Sequence, residues 1–207
     1  MTLREGKAHF SLGARIAQVN DLQGRGASAS ALPLYLFDSR DVSLKFGLAY
    51  PLSDRLNAGV AFGFINERID FFSASAANFD LGLLYQHSKQ LSFGVSVANV
   101  GQDLQLSSES VNLPVTVRAG ASYRQSDLLV AADGVILDSD FHAHLGAEYG
   151  GIDHLFVRAG FQSGYDSKSI TAGLGFLQKD FRIDYAFVPY TNDLGQSHQF
   201  AISFFLK

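Results

Sequence analysis

The chain has 207 residues, with 20 Gly, 18 Phe, 8 Tyr, 4 Pro, one Met and neither Cys nor Trp. Charged residues make up 17%, short of the roughly 25% usual in soluble domains. The mean hydropathy of +0.08 is too low for a helical membrane protein, and no stretch offers the roughly 20 apolar residues of a spanning helix. An aromatic content of 13% excludes a disordered polymer. The absence of Cys removes disulfide frameworks, thiolate zinc sites and Cys nucleophiles together. A net charge of −4 leaves no electrostatic footprint for nucleic acid. The first seven residues carry no apolar signal segment. The length fits one domain over residues 1–207.

Along the chain the pattern is alternation with a period of two, the signature of a strand with one apolar face. It begins at Phe10/Leu12/Ala14/Ile16 and Val42/Leu44/Phe46/Leu48/Tyr50, then Leu56/Ala58/Val60/Phe62/Phe64 and Phe79/Leu81/Leu83/Tyr85. Leu91/Phe93/Val95/Val97, Val115/Val117/Ala119/Ala121/Tyr123 and Leu128/Val130/Ala132 follow. The last five are Phe141/Ala143/Leu145/Ala147/Tyr149, Leu155/Val157/Ala159/Phe161, Ile170/Ala172/Leu174/Phe176, Phe181/Ile183/Tyr185/Phe187 and Phe200/Ile202/Phe204/Leu206. That makes about twelve strands, many near the nine to eleven residues that a membrane-spanning strand needs. No segment shows a 3.6-residue period.

Short links are expected near 51–55, 86–90, 124–127, 150–153 and 178–180. Longer ones alternate with them near 19–41, 66–78, 100–113, 163–169 and 189–197, and 137–140 is short out of turn. Outer-membrane barrels sort their links this way, with short periplasmic turns and longer outside loops. Tyr50, Tyr85, Tyr123 and Tyr149 each precede a short link on the apolar face, and Phe176 takes the matching place before the fifth. Tyrosine is also a common strand residue, but rings with a polar tip placed along one border form the aromatic girdle of a barrel.

The opposite face carries Arg15, Lys45, Asp80, Arg118, Asp133, His142, His144, Glu148, Arg158, Arg182 and Asp184 among Gly, Ser and Ala. Lys or Arg facing lipid costs about 2–4 kcal/mol at the midplane, so a face cleared of charge suits lipid and the other suits a lumen. His142 and His144 share a face at a spacing a metal site could use, with Glu148 beyond them, but no third ligand is fixed. Polar lumen residues are the better reading, so no metal or cofactor is expected. No Gly-x-Ser-x-Gly elbow singles out a nucleophile, and Gly173-x-Gly175 lacks the helix of a phosphate-binding loop. The chain is read as a non-enzyme.

In the second half, Phe79-Asp-Leu-Gly-Leu-Leu-Tyr85, Leu91-Ser-Phe-Gly94, Asn99-Val-Gly101, Leu113-Pro114 and Arg118-Ala-Gly120 follow in order. They are succeeded by His144-Leu-Gly-Ala-Glu-Tyr149, Arg158-Ala-Gly-Phe161, Gly173-Leu-Gly175, Asp184-Tyr-Ala-Phe187 and Leu194-Gly-Gln-Ser-His198. This succession resembles the PorV/PorQ family of FadL-like outer-membrane β-barrels, and 42–69 resembles an earlier strand pair of it. The resemblance implies an all-β antiparallel transmembrane barrel of about fourteen strands with an N-terminal segment in the lumen. The chain would be an N-terminally truncated or mature form of such a barrel, or would close with about twelve strands. It also implies a bacterial outer-membrane location with lipid as partner, and one of two roles. One is passage of hydrophobic small molecules, as in FadL-like relatives. The other is an accessory role in type IX secretion, beside a translocon or secreted cargo protein. The family's last strand ends on an aromatic; here Phe204 and Leu206 keep the alternation and Lys207 follows. The competing expectation is a soluble all-β binding module such as a sandwich, whose apolar faces would be covered.

Overall fold

The computed structural model describes residues 2–5, 7–28, 31–106 and 109–204. The expectations for Leu206 and Lys207 lie outside the described residues, as do 29–30 and 107–108 of two expected loops. The described residues are all strand and turn, without helix.

The strands are β1 (Thr2–Glu5), β2 (Ala8–Gly24), β3 (Tyr35–Pro51), β4 (Leu56–Ile69), β5 (Phe72–Gln86), β6 (Leu91–Gly101), β7 (Leu104–Leu106) and β8 (Glu109–Val111). They continue as β9 (Thr116–Gln125), β10 (Leu128–Leu137), β11 (Asp140–Ile152), β12 (Leu155–Ser163), β13 (Ile170–Gln178), β14 (Phe181–Pro189) and β15 (Gln196–Phe204). β7 and β8 form a separate two-stranded sheet; the other thirteen strands are hydrogen-bonded in chain order. Each of the twelve expected strands is present, and short β1 is added to them, antiparallel to β2. The chain divides into two compact units, Met1–Leu83 with Ser96–Val115, and Leu84–Val95 with Thr116–Lys207.

In the first unit, β2, β3 and β4 pair so that apolar residues line up across strands. Leu12 faces Phe46, which faces Phe62, and Ala14 faces Leu44, which faces Phe64. These side chains are not covered: Phe46 is 51% exposed and Phe62 47%. β2 and β3 run 17 residues each, longer than a bilayer requires. A bulge between Val19 and Leu22, with Asp21 at φ 57°, marks where β2 changes course. The expected loop 19–41 is therefore mostly strand, with the link confined to 25–34. The loop expected at 66–78 is absent too: Asp70 and Phe71 alone join β4 to β5, Asp70 supplying the left-handed φ of 56°. Sequence alternation fails there because Ala74, Ser75, Ala76 and Ala77 are all small.

The expected loop 100–113 contains the β7–β8 hairpin. Leu104 and Leu113 are buried with Ala74 and Ala76, and Ile65 and Leu106 pack against them. Ile65, Ala74 and Ala76 alternate with exposed Phe64, Ser75 and Phe79, so the hairpin covers the face opposite the phenylalanines.

In the second unit the strands β9 to β15 run 9 to 13 residues, near the nine to eleven of a spanning strand. Their apolar rows read Tyr123–Val130–Ala147 and Leu145–Phe161–Ile170. A further row reads Val157–Leu174–Tyr185–Phe200, with Tyr185 half-buried and Phe200 75% exposed. Pairs of residues at 126–127, 138–139, 153–154 and 179–180 close its hairpins. Ser126, Asp138, Ser139 and His154 take positive φ there, the conformation that tight hairpin turns demand.

Large apolar side chains are thus exposed along both units. Among the described residues, the buried hydrophobic ones are Ala74, Ala76, Leu104, Leu113 and Val135. A water-soluble sandwich would bury its Phe and Leu rows between sheets, and that expectation is corrected here.

Candidate functional site

The polar residues singled out in the sequence occupy the face opposite the exposed apolar rows, in two groups of contacts within the second unit and one within the first. In the first unit Lys45 Nζ donates to Asp80 Oδ2 at 2.5 Å and to Asn99 Oδ1 at 3.2 Å. Asn99, at φ 60°, returns its backbone N–H to Asp80 Oδ1 at 2.9 Å. Its amide also donates to the Pro114 carbonyl at 3.2 Å. Asn99 therefore ties β6 to the end of the hairpin segment through a charge pair. Arg15 lies exposed on β2 opposite Ser43 and joins none of the three groups.

In the second unit Arg158 is the hub. Its Nε donates to Glu148 Oε2 at 2.7 Å and its Nη1 to Asp184 Oδ1 at 2.7 Å. Arg182 Nε donates to both oxygens of Asp184, at 2.8 and 3.0 Å. Arg124 and Arg182 each approach Glu148 at 3.8 Å. Phe156, on the same face, has the Arg182 guanidinium 5.3 Å and that of Arg158 6.0 Å from its ring centre. Three cations thus meet two carboxylates. Gly175 makes this possible, because a Cβ there would stand 2.8 Å from both Arg158 Nη2 and Asp184 Oδ1.

The second group begins at Asp133. Its Oδ1 lies 3.5 Å from Arg118 Nε and 3.3 Å from His144 Nδ1. The other nitrogen of His144, Nε2, is 3.0 Å from the Tyr165 hydroxyl. Tyr165 belongs to the 164–169 link but turns onto the sheet. Its ring stacks on His142 at 3.9 Å and 8°, with Lys168 Nζ 4.2 Å over the ring. His142 and His144 are thus engaged with a phenol, and among the described residues no cluster of three or more His, Cys, Asp or Glu could hold a metal ion. Between the two groups lies a cavity of about 530 Å³ whose lining includes Asp133, His144, Gln162, Glu148, Arg158 and Asp184. Gly146, Gly160 and Gly173 contribute to its floor.

Tyr50, Tyr85, Tyr123 and Tyr149 lie on the exposed apolar face near short links, at 40–50% exposure. Phe176 is half-buried among His154 and Phe181. Sequence reasoning missed Arg124, which one more step of the β9 alternation would have found. It also missed Asn99, Phe156, Tyr165 and Lys168. The last two sit in a link, where alternation carries no information.

A thirteen-stranded antiparallel sheet with one face apolar and exposed and the other charged defines the transmembrane β-barrel class, and solved structures bear out that fold. The chain is similar to the toluene transporter TbuX of Ralstonia pickettii, at 17% identity and TM-score 0.64, covering 97% of this chain and 77% of that one. It is similar to the Pseudomonas putida toluene transporter TodX, at 12% identity and TM-score 0.68, with 97% and 78% covered. A Pseudomonas aeruginosa FadL homologue matches at 12% identity and TM-score 0.57, over 88% and 66%. The fold is thus FadL-like. No family model and no curated protein matches the chain.

Proposed function

We propose that this chain is a bacterial outer-membrane channel for small, largely hydrophobic molecules, and not an enzyme. The carrying observation is the pairing of an uncovered apolar face with a charged, glycine-floored opposite face on the strands of a FadL-like fold. Lipid wets the first face and the second lines the lumen. In this reading Arg15, Lys45, Asp80, Arg118, Asp133, His142, His144, Glu148, Arg158, Arg182 and Asp184 face the lumen. Tyr50, Tyr85, Tyr123, Tyr149 and Phe176 form a girdle at one interface. The transported class follows from what the solved neighbours are named for, toluene above all. The mixed charges add a preference for solutes with some polarity. The test is reconstitution into lipid vesicles and uptake of toluene and a polar aromatic, against empty vesicles. Uptake above that baseline is expected, and none at all for either solute would overturn the channel reading.

The secretion role implied by the PorV/PorQ resemblance rests on motif order alone. Co-purification with a large translocon barrel from native membranes would support it, and purification free of any partner would count against it.

A further inference from the structure

Tyr165 is held as a bound ligand is held. Its ring lies flat on His142, parallel within 8° at 3.9 Å. Lys168 caps the other ring face at 4.2 Å, a cation–π distance. Its hydroxyl meets His144 Nε2 at 3.0 Å, and Asp133 Oδ1 lies 3.3 Å from the other nitrogen of that imidazole without hydrogen-bonding to it. Floor, lid and polar end are therefore all supplied to one phenol.

The slot is built rather than accidental. His142 is only 6% exposed and its Nδ1 has no hydrogen-bond partner, an unusual state for a buried polar atom. Gly164 holds φ 86°, and a Cβ there would stand 2.9 Å from that nitrogen and closer still to the Phe141 carbonyl, so the link can come this near only as glycine. The same link is moored at its far side. Thr191 donates its N–H to Ser167 O at 2.8 Å and its hydroxyl to Asp166 O at 3.2 Å, and Gln162 N–H donates to Ser169 O at 2.6 Å. The roughly 530 Å³ cavity reaches Asp133, His144 and Gln162, so a small molecule in it lies beside the slot.

We infer that the His142–His144–Lys168 slot is a binding site for small phenols, which Tyr165 occupies as an internal competitor. The inference deepens the channel reading by naming a ligand class and the place where it is selected. A phenol entering the cavity takes over the stack on His142 and the bond to His144, and Tyr165 swings out. A hydrocarbon ring of equal size gains the stack but leaves His144 Nε2 without a hydroxyl, which a site built to bond one penalises. While Tyr165 occupies the slot, apparent affinity for an outside phenol falls by the fraction of time the slot stands empty.

The test uses full-length protein refolded in detergent and calorimetric titration with p-cresol, toluene and benzyl alcohol, each against empty micelles. It reads binding and not passage, so it fails or succeeds apart from the channel reading. Tyr165→Ala is expected to bind p-cresol at least tenfold more tightly than the parent does, and at least tenfold more tightly than it binds toluene or benzyl alcohol. Adding His144→Ala is expected to bring p-cresol and toluene within about twofold of each other. Tyr165→Phe keeps the stack and loses the hydroxyl bond, and is expected to admit p-cresol more readily than the parent; it serves where the alanine variant does not refold. Equal p-cresol affinity in parent and both Tyr165 variants, or a phenol preference that survives loss of His144, would overturn the proposal.

Discussion

Arg158 shows how single residues hold this sheet's charged face together. Two carboxylates, Glu148 on adjacent β11 and Asp184 on β14 two strands away, converge on it at 2.7 Å. Hydrogen bonds to charged groups contribute about 1.5–3 kcal/mol each, less where water reaches them. Arg158→Leu is expected to lower stability by about 2 kcal/mol in urea unfolding of the reconstituted protein, because Glu148 loses its one short charged partner and Asp184 is left to Arg182 alone. Arg158→Lys should recover part of that loss. At Glu67 the balance runs the other way. It stands directly across from Asp41, beyond the stretch of β4 that the exposed phenylalanines assign to the bilayer. Burial, and then the Asp41 charge, hold its carboxyl above the ordinary value. A raised acid binds its proton more tightly folded than unfolded, so the folded state gains as pH falls into the carboxylate range. Glu67→Gln should raise midpoint stability at neutral pH and flatten its rise on acidification, followed by denaturant titration at both pH values.

Elements differ in how far the sequence reveals them. All twelve long strands were legible over most of their length, since each presents an uncovered apolar row in alternation, and lipid leaves that record in Phe and Leu. Three features were not. The Asp70–Phe71 turn hides in a run of small residues. β1 is too short to alternate measurably. The β7–β8 hairpin reads as a polar loop, because its three-residue strands show only Leu104, Leu106 and, nearby, Leu113. The three charged groups were visible as a face but not as groups, since pairing depends on register and, for one of them, on a link that folds back over the sheet. The hairpin covers the face that would line the lumen in the first unit. Replacing residues 103–112 with a short Gly-Ser link is expected to raise single-channel conductance in planar bilayers while the protein still refolds. Unchanged conductance would show that the hairpin obstructs nothing.

For the molecule as a whole, the decisive physics is the solvent of the outer face. In water, uncovered rows such as Leu145–Phe161–Ile170 would drive association; in hydrocarbon they need no cover. Leu145→Arg is expected to cost about 2–4 kcal/mol of folding free energy in lipid vesicles, whereas Leu145→Phe should be tolerated. A small cost for the arginine would place that row away from the bilayer centre. On the apolar side charge appears toward the far ends of β3 and β4, where Arg40 faces Arg68; on the other face Lys45 with Asp80 and Arg158 with Glu148 and Asp184 neutralise one another across strands.

The glycines flooring the cavity carry one more consequence. At Gly146 an added Cβ would find nothing nearer than the Ala159 carbonyl at 4.0 Å, so that position tolerates a side chain, and in the proposed channel it would lend its space to the solute. The mesh of such a sieve is set by atoms that are missing. One codon change there could narrow what passes without disturbing a single backbone hydrogen bond, and a lineage meeting a new solute could retune its filter while keeping the frame.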